Sequence, residues 1–332
     1  MKKILVTGGA GFIGSHLVQK LIDNGFKVMI VDSLKTTGGL IYINPKSYFV
    51  KGDILDSKTL KKIRKWKPKI IYHLAAQSGG ETAYDNPKYD YLTNGYGTYL
   101  LSELAREIKV EQFIYTSSVA VYGSNVGTTI SEKTKINPDS IYGISKYAGE
   151  MFLIQNLRNT KIKTIIFRIF NTYGPGEDLN YFKKGMVSIY CGYVWKKKPI
   201  LVKGSINRFR NYQFIDDVIS ILFQSINNKK LKMKEIINLT SGKSTKVSEL
   251  LKLILKEKNY KKYKIIEKNK GTPGDSFGYH ATNLYLLKKF NNFKFTSIKK
   301  GLEKYFKWIN AIPVRKNIKR YHPLNQKNKR EI

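Results

Sequence analysis

Short apolar runs alternate with longer amphipathic segments through the first half of the chain. KILVTG, KVMIVDS, YFVKGDI, IIYHLAA, QFIYTSS and KTIIFRIF each read as a strand buried on both faces. Between them, apolar positions recur at helical spacing from about Ile13 to Asn24, from about Ser57, from about Tyr89 to Glu107, and in a segment opening at Tyr142. Strands alternating with crossover helices predict an α/β fold with a doubly wound parallel sheet, covered by helices on both sides. After NTYGPG the regularity loosens, and glycine, proline and asparagine become frequent. The expected division is 1–172 for the sheet domain, 173–314 for a smaller C-terminal region with segments returning to the first, and 315–332 for a basic, frayed tail.

The composition narrows the picture. At 332 residues with 42% hydrophobic content, the chain can bury a large core. A single cysteine, Cys191, cannot close an internal disulfide, and four scattered histidines show no ligand spacing, so no metal site is expected. The opening MKKILVTGG is too short in apolar residues for a secretion signal, and no run approaches the ~18 residues of a membrane span. A reducing cytoplasm is the expected compartment. Lys and Arg number 60 against 24 Asp and Glu, a net charge of +36. The lysines are spread over nearly every helix and loop, which favours a solvated surface over a nucleic-acid partner.

TGGAGFIG sets Gly8, Gly11 and Gly14, with Phe12 and Ile13 between them, where the first strand turns into the first helix. Glycine there allows a tight turn and close approach of a pyrophosphate to free helix N–H donors. The second strand ends at Asp32, the distance at which an acid binds the adenine ribose. A Rossmann-type domain binding NAD is expected, NAD being preferred over NADP because Asp32 repels a 2′-phosphate, although Lys35 stands close. In YGISK, Tyr142 and Lys146 are four residues apart on one helix face, where a cation favours the ionised phenol. Taken alone, that pair fits a proton-transfer group or a solvated surface contact.

TGGAGFIG, Asp32, GDI, HLAA, TSSVAVYG, YGISK and FRIFNTYGPG follow one another in an order that resembles the extended short-chain dehydrogenase/reductase family, in particular its nucleotide-sugar epimerases and dehydratases of the UDP-glucose 4-epimerase kind. The resemblance spans about residues 1 to 310. It implies that Tyr142 is the general base and acid, that Lys146 holds the nicotinamide ribose and depresses the tyrosine pKa, and that Ser118 bonds the reacting oxygen. Asp53 and Ile54 would meet the adenine, Ala75 and Ala76 would line the cofactor, and Asn94 would be a buried helix asparagine nearby. Toward a nucleotide-diphosphate sugar it implies Ser78, Glu81, Asn171, Arg210 and Tyr279. Two departures stand out: Asn211 replaces an aspartate beside Arg210, and Thr272 stands where many epimerases carry a second phosphate-binding arginine. A homodimer is also implied.

The resemblance also bears on the reaction. Relatives that eliminate water across C5 and C6 carry an acid beside the hydroxyl residue, as do the decarboxylases; the 3,5-epimerase type has a cysteine. Here those positions are Val119 and Ala120. The expectation is therefore 4-epimerisation through a transient 4-keto sugar, serving surface-glycan precursors. A C4 dehydrogenase or ketoreductase and a 4,6-dehydratase, with Glu81 as its acid, remain alternatives. So does a non-catalytic RNA-binding relative, which would need no YxxxK pair.

Overall fold

The computed structural model describes residues 1–35, 39–124, 129–260, 262–268, 271, 276–313, 318 and 322–327. Among these residues twelve strands run in chain order as β1 (Lys3–Thr7), β2 (Lys27–Asp32), β3 (Tyr48–Lys51), β4 (Ile70–His73), β5 (Gln112–Ser118), β6 (Lys163–Ile169), β7 (Asn171–Tyr173), β8 (Ile200–Lys203), β9 (Phe209–Phe214), β10 (Lys234–Leu239), β11 (Ser244–Lys246) and β12 (Ile265–Lys268). Seven of them form one sheet in the order β3-β2-β1-β4-β5-β6-β10, every neighbouring pair parallel. The expected doubly wound α/β sheet is what forms.

The continuous apolar runs follow from burial on both faces. In β1, Ile4 and Val6 enter one core cluster and Leu5 the other; β6 divides Ile165 and Phe167 from Ile166 in the same way. The chain winds outward in opposite directions from β1 and β4, so a crevice opens at their C-terminal ends. Beyond the sheet, β9 pairs with β7 in parallel and β11 in antiparallel, and β8 pairs with β12. These short sheets close over the crevice from the C-terminal side.

Two expectations change. The single helix expected from Tyr89 to Glu107 is instead Pro87–Tyr91 and Gly97–Glu107, joined by a π-helical turn over Leu92–Tyr96. The widened turn contains Asn94, whose amide donates to the Gln77 carbonyl at 2.9 Å, a bond that couples the helix to the loop after β4. The tail is not frayed where it is described. Ile318, His322 and Leu324 are buried, and the His322 ring stacks on Tyr42 at 4.8 Å beside Ser15. Apolar and aromatic side chains inside a basic segment find a hydrophobic seat against the first helix. Most of 315–332, and Thr272, lie outside the described residues.

Candidate active site

The crevice holds a cavity of about 490 Å³ reaching from Gly8, Gly11, Phe12, Ile13 and Gly14 past Asp32, Asp53, Ile54, Ala75 and Ala76 to Tyr142 and Lys146. All the residues expected to bind the cofactor therefore line one wall system. Gly8 has φ +70°, and a Cβ there would lie 2.6 Å from the Ala75 backbone nitrogen; one at Gly14 would lie 2.1 Å from the Gly8 carbonyl oxygen. Both positions require glycine for the backbones to approach. Asp32 is buried, and its carboxylate accepts the N–H groups of Ala10 at 3.0 Å and Leu34 at 2.8 Å. Burial raises its pKa and these two bonds oppose the rise. Lys35 is drawn away to Asp53 at 3.3 Å.

A second cavity, of about 310 Å³, adjoins the first. Ser118, Tyr142 and Asn171 line both, so the expected catalytic hydroxyls stand where the two meet. β5 delivers Ser118 at its C-terminal end, and Ser140 caps the helix Ile141–Leu157 by accepting the Gly143 N–H at 3.1 Å, which starts the Tyr142 helix beside it. The Ser118 hydroxyl also accepts from the Ala120 N–H at 3.2 Å, so it caps the following turn as well as facing the cavity.

The electrostatics correct one expectation. Burial pushes the Tyr142 phenol up to about 12; Ser118 pulls against this and Asp90 adds to it. The expected lowering by Lys146 is not among the influences on the phenol in this state, and the Lys146 ammonium lies over the Tyr115 ring, 4.3 Å from the centroid. Burial lowers Lys146 to about 7, opposed by the charges of Asp90 and Glu150. In this state the Tyr142 phenol is neutral near pH 7.

Asp90 was not foreseen. It is fully buried and accepts the Ser145 hydroxyl at 2.5 Å and the Asn94 amide at 3.1 Å, and Ser145 in turn accepts a bond of 3.0 Å from Asn94. Burial raises its pKa to about 6 despite these bonds and the pull of Lys146. The visible signal was an acid four residues before Asn94 on the same helical face. Asn94 itself, expected near the active site, is the centre of this network.

The substrate-side residues fall into three groups. Asn171, Arg210 and Tyr279 come together in the second cavity: the Asn171 amide donates to the Tyr279 hydroxyl at 3.0 Å, and the Arg210 guanidinium lies 5.5 Å from the Tyr279 ring centroid. Arg210 is oriented by the carbonyls of Phe209, Ser276 and Phe277, and not by Asn211, whose buried side-chain amide has no hydrogen-bond partner. Glu81 lines this cavity too, but both its oxygens accept from Lys203, the shorter bond being 2.9 Å. Ser78 lines the first cavity and accepts the Lys184 ammonium at 2.6 Å. A larger groove of about 610 Å³ between Phe26, Phe223 and Phe290 lies at the opposite ends of the strands and contains none of the motif residues.

The family model for the NAD dependent epimerase/dehydratase family matches residues 4–240. The chain belongs to that family. A Methanocaldococcus jannaschii protein provisionally named UDP-glucose 4-epimerase is 37% identical over 266 residues, 80% of this chain and 85% of that protein. Human dTDP-D-glucose 4,6-dehydratase is 30% identical over 76% of this chain and 73% of its own length. Among solved structures, the UDP-glucose 4-epimerase of Thermotoga maritima with UDP-glucose superposes with a TM-score of 0.85 at 30% identity, covering 93% of this chain and 98% of that one. The protein is thus an NAD-dependent enzyme of the epimerase kind. The glycine cradle at Gly8 and Gly14, the buried Asp32 and the size of the first cavity fit the dinucleotide. No described helix is long and apolar enough to cross a membrane, and no metal-binding group of side chains occurs among the described residues.

Proposed function

We propose that the enzyme is a nucleotide-sugar 4-epimerase acting on a UDP-sugar, with Ser118, Tyr142 and Lys146 as its reacting and positioning groups. The observation that carries this is the junction of the two cavities, where Ser118 and Tyr142 stand together and the two residues after Ser118 are Val119 and Ala120 rather than an acid. Gly8, Gly11, Gly14 and Asp32 would hold NAD in the first cavity, where it would supply a reversible hydride acceptor for C4. Ser118 holds the C4 hydroxyl, and Tyr142 takes the proton from its oxygen as C4 is oxidised and gives it back to that same oxygen as hydride returns to the opposite face of the C4 ketone. Lys146, one helical turn after Tyr142 and on the wall of the first cavity, would hold the nicotinamide ribose. Asn171, Arg210 and Tyr279 hold the diphosphate side, the guanidinium being suited to paired oxygen acceptors.

The carboxylates of the substrate cavity support the same reading. Glu81 is paired with Lys203, and the Asp139 carboxylate accepts from the Ser124 backbone. Glu177, which lines the adjoining cavity, is buried and accepts the Ser188 hydroxyl, so each of these described carboxylates is already engaged, which favours epimerisation over the dehydratase alternative. The intact catalytic set likewise speaks against a purely RNA-binding role. An apolar stripe of Ile144, Met151 and Ile154 on the Tyr142 helix, with Tyr96 from its neighbour, is exposed and supports a homodimer packed through these helices. Cytoplasmic work on surface-glycan precursors completes the proposal.

The test is to incubate the enzyme with a panel of UDP-hexoses and UDP-hexuronates and follow products by mass and proton spectra. A C4 epimer of unchanged mass, with no accumulating NADH, is expected. Tyr142→Phe should lower its formation by ~10²-fold or more while NAD stays bound. Loss of water, accumulation of NADH, or a fully active Tyr142→Phe enzyme would contradict the assignment.

A further inference from the structure

The substrate side of the site is strongly basic, and all but one of its lysines have a carboxylate partner. Lys183 pairs with Asp85 at 2.7 Å and Lys203 with Glu81 at 2.9 Å. Lys184 forms no ion pair among the described residues and bonds only the neutral Ser78 hydroxyl. The acid whose charge reaches it, Glu177, is buried and accepts the Ser188 hydroxyl. Glu177 attracts the ammonium without forming an ion pair with it, and burial raises the Glu177 carboxyl itself to about 7, so the partly desolvated wall favours a further anion supplied from outside the chain.

The position of Lys184 says which anion. Arg208, Arg210 and Lys203 line the second cavity alone, at a distance from the dinucleotide crevice. Lys184 lines both cavities, as do Ser118 and Tyr142, and so stands at the wall where the reacting carbon lies. It also directly precedes Gly185 and the helix Met186–Trp195, which starts without a side-chain cap and whose cap residue Gly185 and first residue Met186 line both cavities too.

Resting on the epimerase reading above, we propose that Lys184 recognises a carboxylate carried by the sugar ring itself, so that the substrate class is a nucleotide-diphosphate hexuronate. An uncharged hexose would leave the ammonium bonded to Ser78 alone; a hexuronate places its C6 carboxylate next to the carbon being oxidised. The pairing also protects the product. Oxidation at C4 makes a β-keto acid, which loses carbon dioxide when the C5–C6 bond breaks and its electron pair moves onto the ketone. That step needs the carboxylate charge to leave C6, and an ammonium bound to it opposes the movement.

The experiment compares UDP-hexuronate and UDP-hexose epimerisation by the holoenzyme and its Lys184→Gln variant, with bound NAD measured in both. The expected result is a kcat/KM for the hexuronate ~10²-fold or more above that for the hexose, a ratio that Lys184→Gln reduces at least ~10-fold, on the scale of one charged pair. Lys184→Met serves as a second variant should the glutamine reproduce the contact. Equal efficiency with both sugars, or an equal loss with both in the variants, would overturn the proposal and give Lys184 to the diphosphate. Loss of bound NAD in the variants would give it to the cofactor. Absence of epimerised product from every nucleotide sugar would count against the epimerase reading itself, and NADH or dehydrated product would identify what replaces it.

Discussion

Asp90 decides how the site carries charge. Its carboxylate is buried beneath Lys146, held by Ser145 and Asn94, and it favours the ammonium that burial disfavours. Replacing it with asparagine keeps the shape and removes the charge. The sign follows: losing a nearby anion lowers the Lys146 pKa below its present value of about 7, so the charged form disappears at a lower pH. The high-pH limb of kcat/KM should therefore move down by about one pH unit or more in Asp90→Asn, with NAD still bound. An unchanged limb would reduce Asp90 to a packing group. Most of the motif residues at this scale were legible because their chemistry depends on spacing along the chain. Asp90 and Lys184 were not, because one acid among helix residues and one lysine among many acquire meaning only from what they face.

At the scale of elements, the Tyr142 helix is fixed to the sheet by one buried ion pair. Glu150, two turns after Tyr142, meets Arg168 of β6 at 2.7 Å, accepts the Ser117 hydroxyl at 2.5 Å, and is fully buried. Arg168 also donates to the Tyr122 hydroxyl at 2.9 Å. Glu150→Gln would leave the guanidinium buried without a counter-charge, and a loss of about 3 kcal/mol or more in denaturant unfolding is expected. A change below about 1 kcal/mol would show that water reaches the arginine. The arginine inside the apolar run KTIIFRIF was a visible anomaly, but its partner could not be read from the sequence, since helix and strand meet only after folding. The π-helical turn at Asn94 was hidden for a similar reason: apolar periodicity reports a helix and does not resolve one extra residue within it.

At the scale of the molecule, the order of apolar runs and helical segments was enough to foresee the parallel sheet, because a strand buried on both faces has few other readings. The seventh strand, β10, arrives after the chain has left the sheet, at the point where sequence periodicity had weakened. The net charge of +36 does not enter the chemistry as a whole; Lys184 does, by where the fold puts it. The proposed 4-epimerisation requires that hydride leave C4 and return to C4 within a single binding event. The direct measurement uses a UDP-sugar carrying deuterium at C4, turned over by the holoenzyme in ordinary water. The account predicts a C4-epimerised product that retains the deuterium at C4; an epimer with hydrogen there, or deuterium accumulating in free NADH, would contradict it.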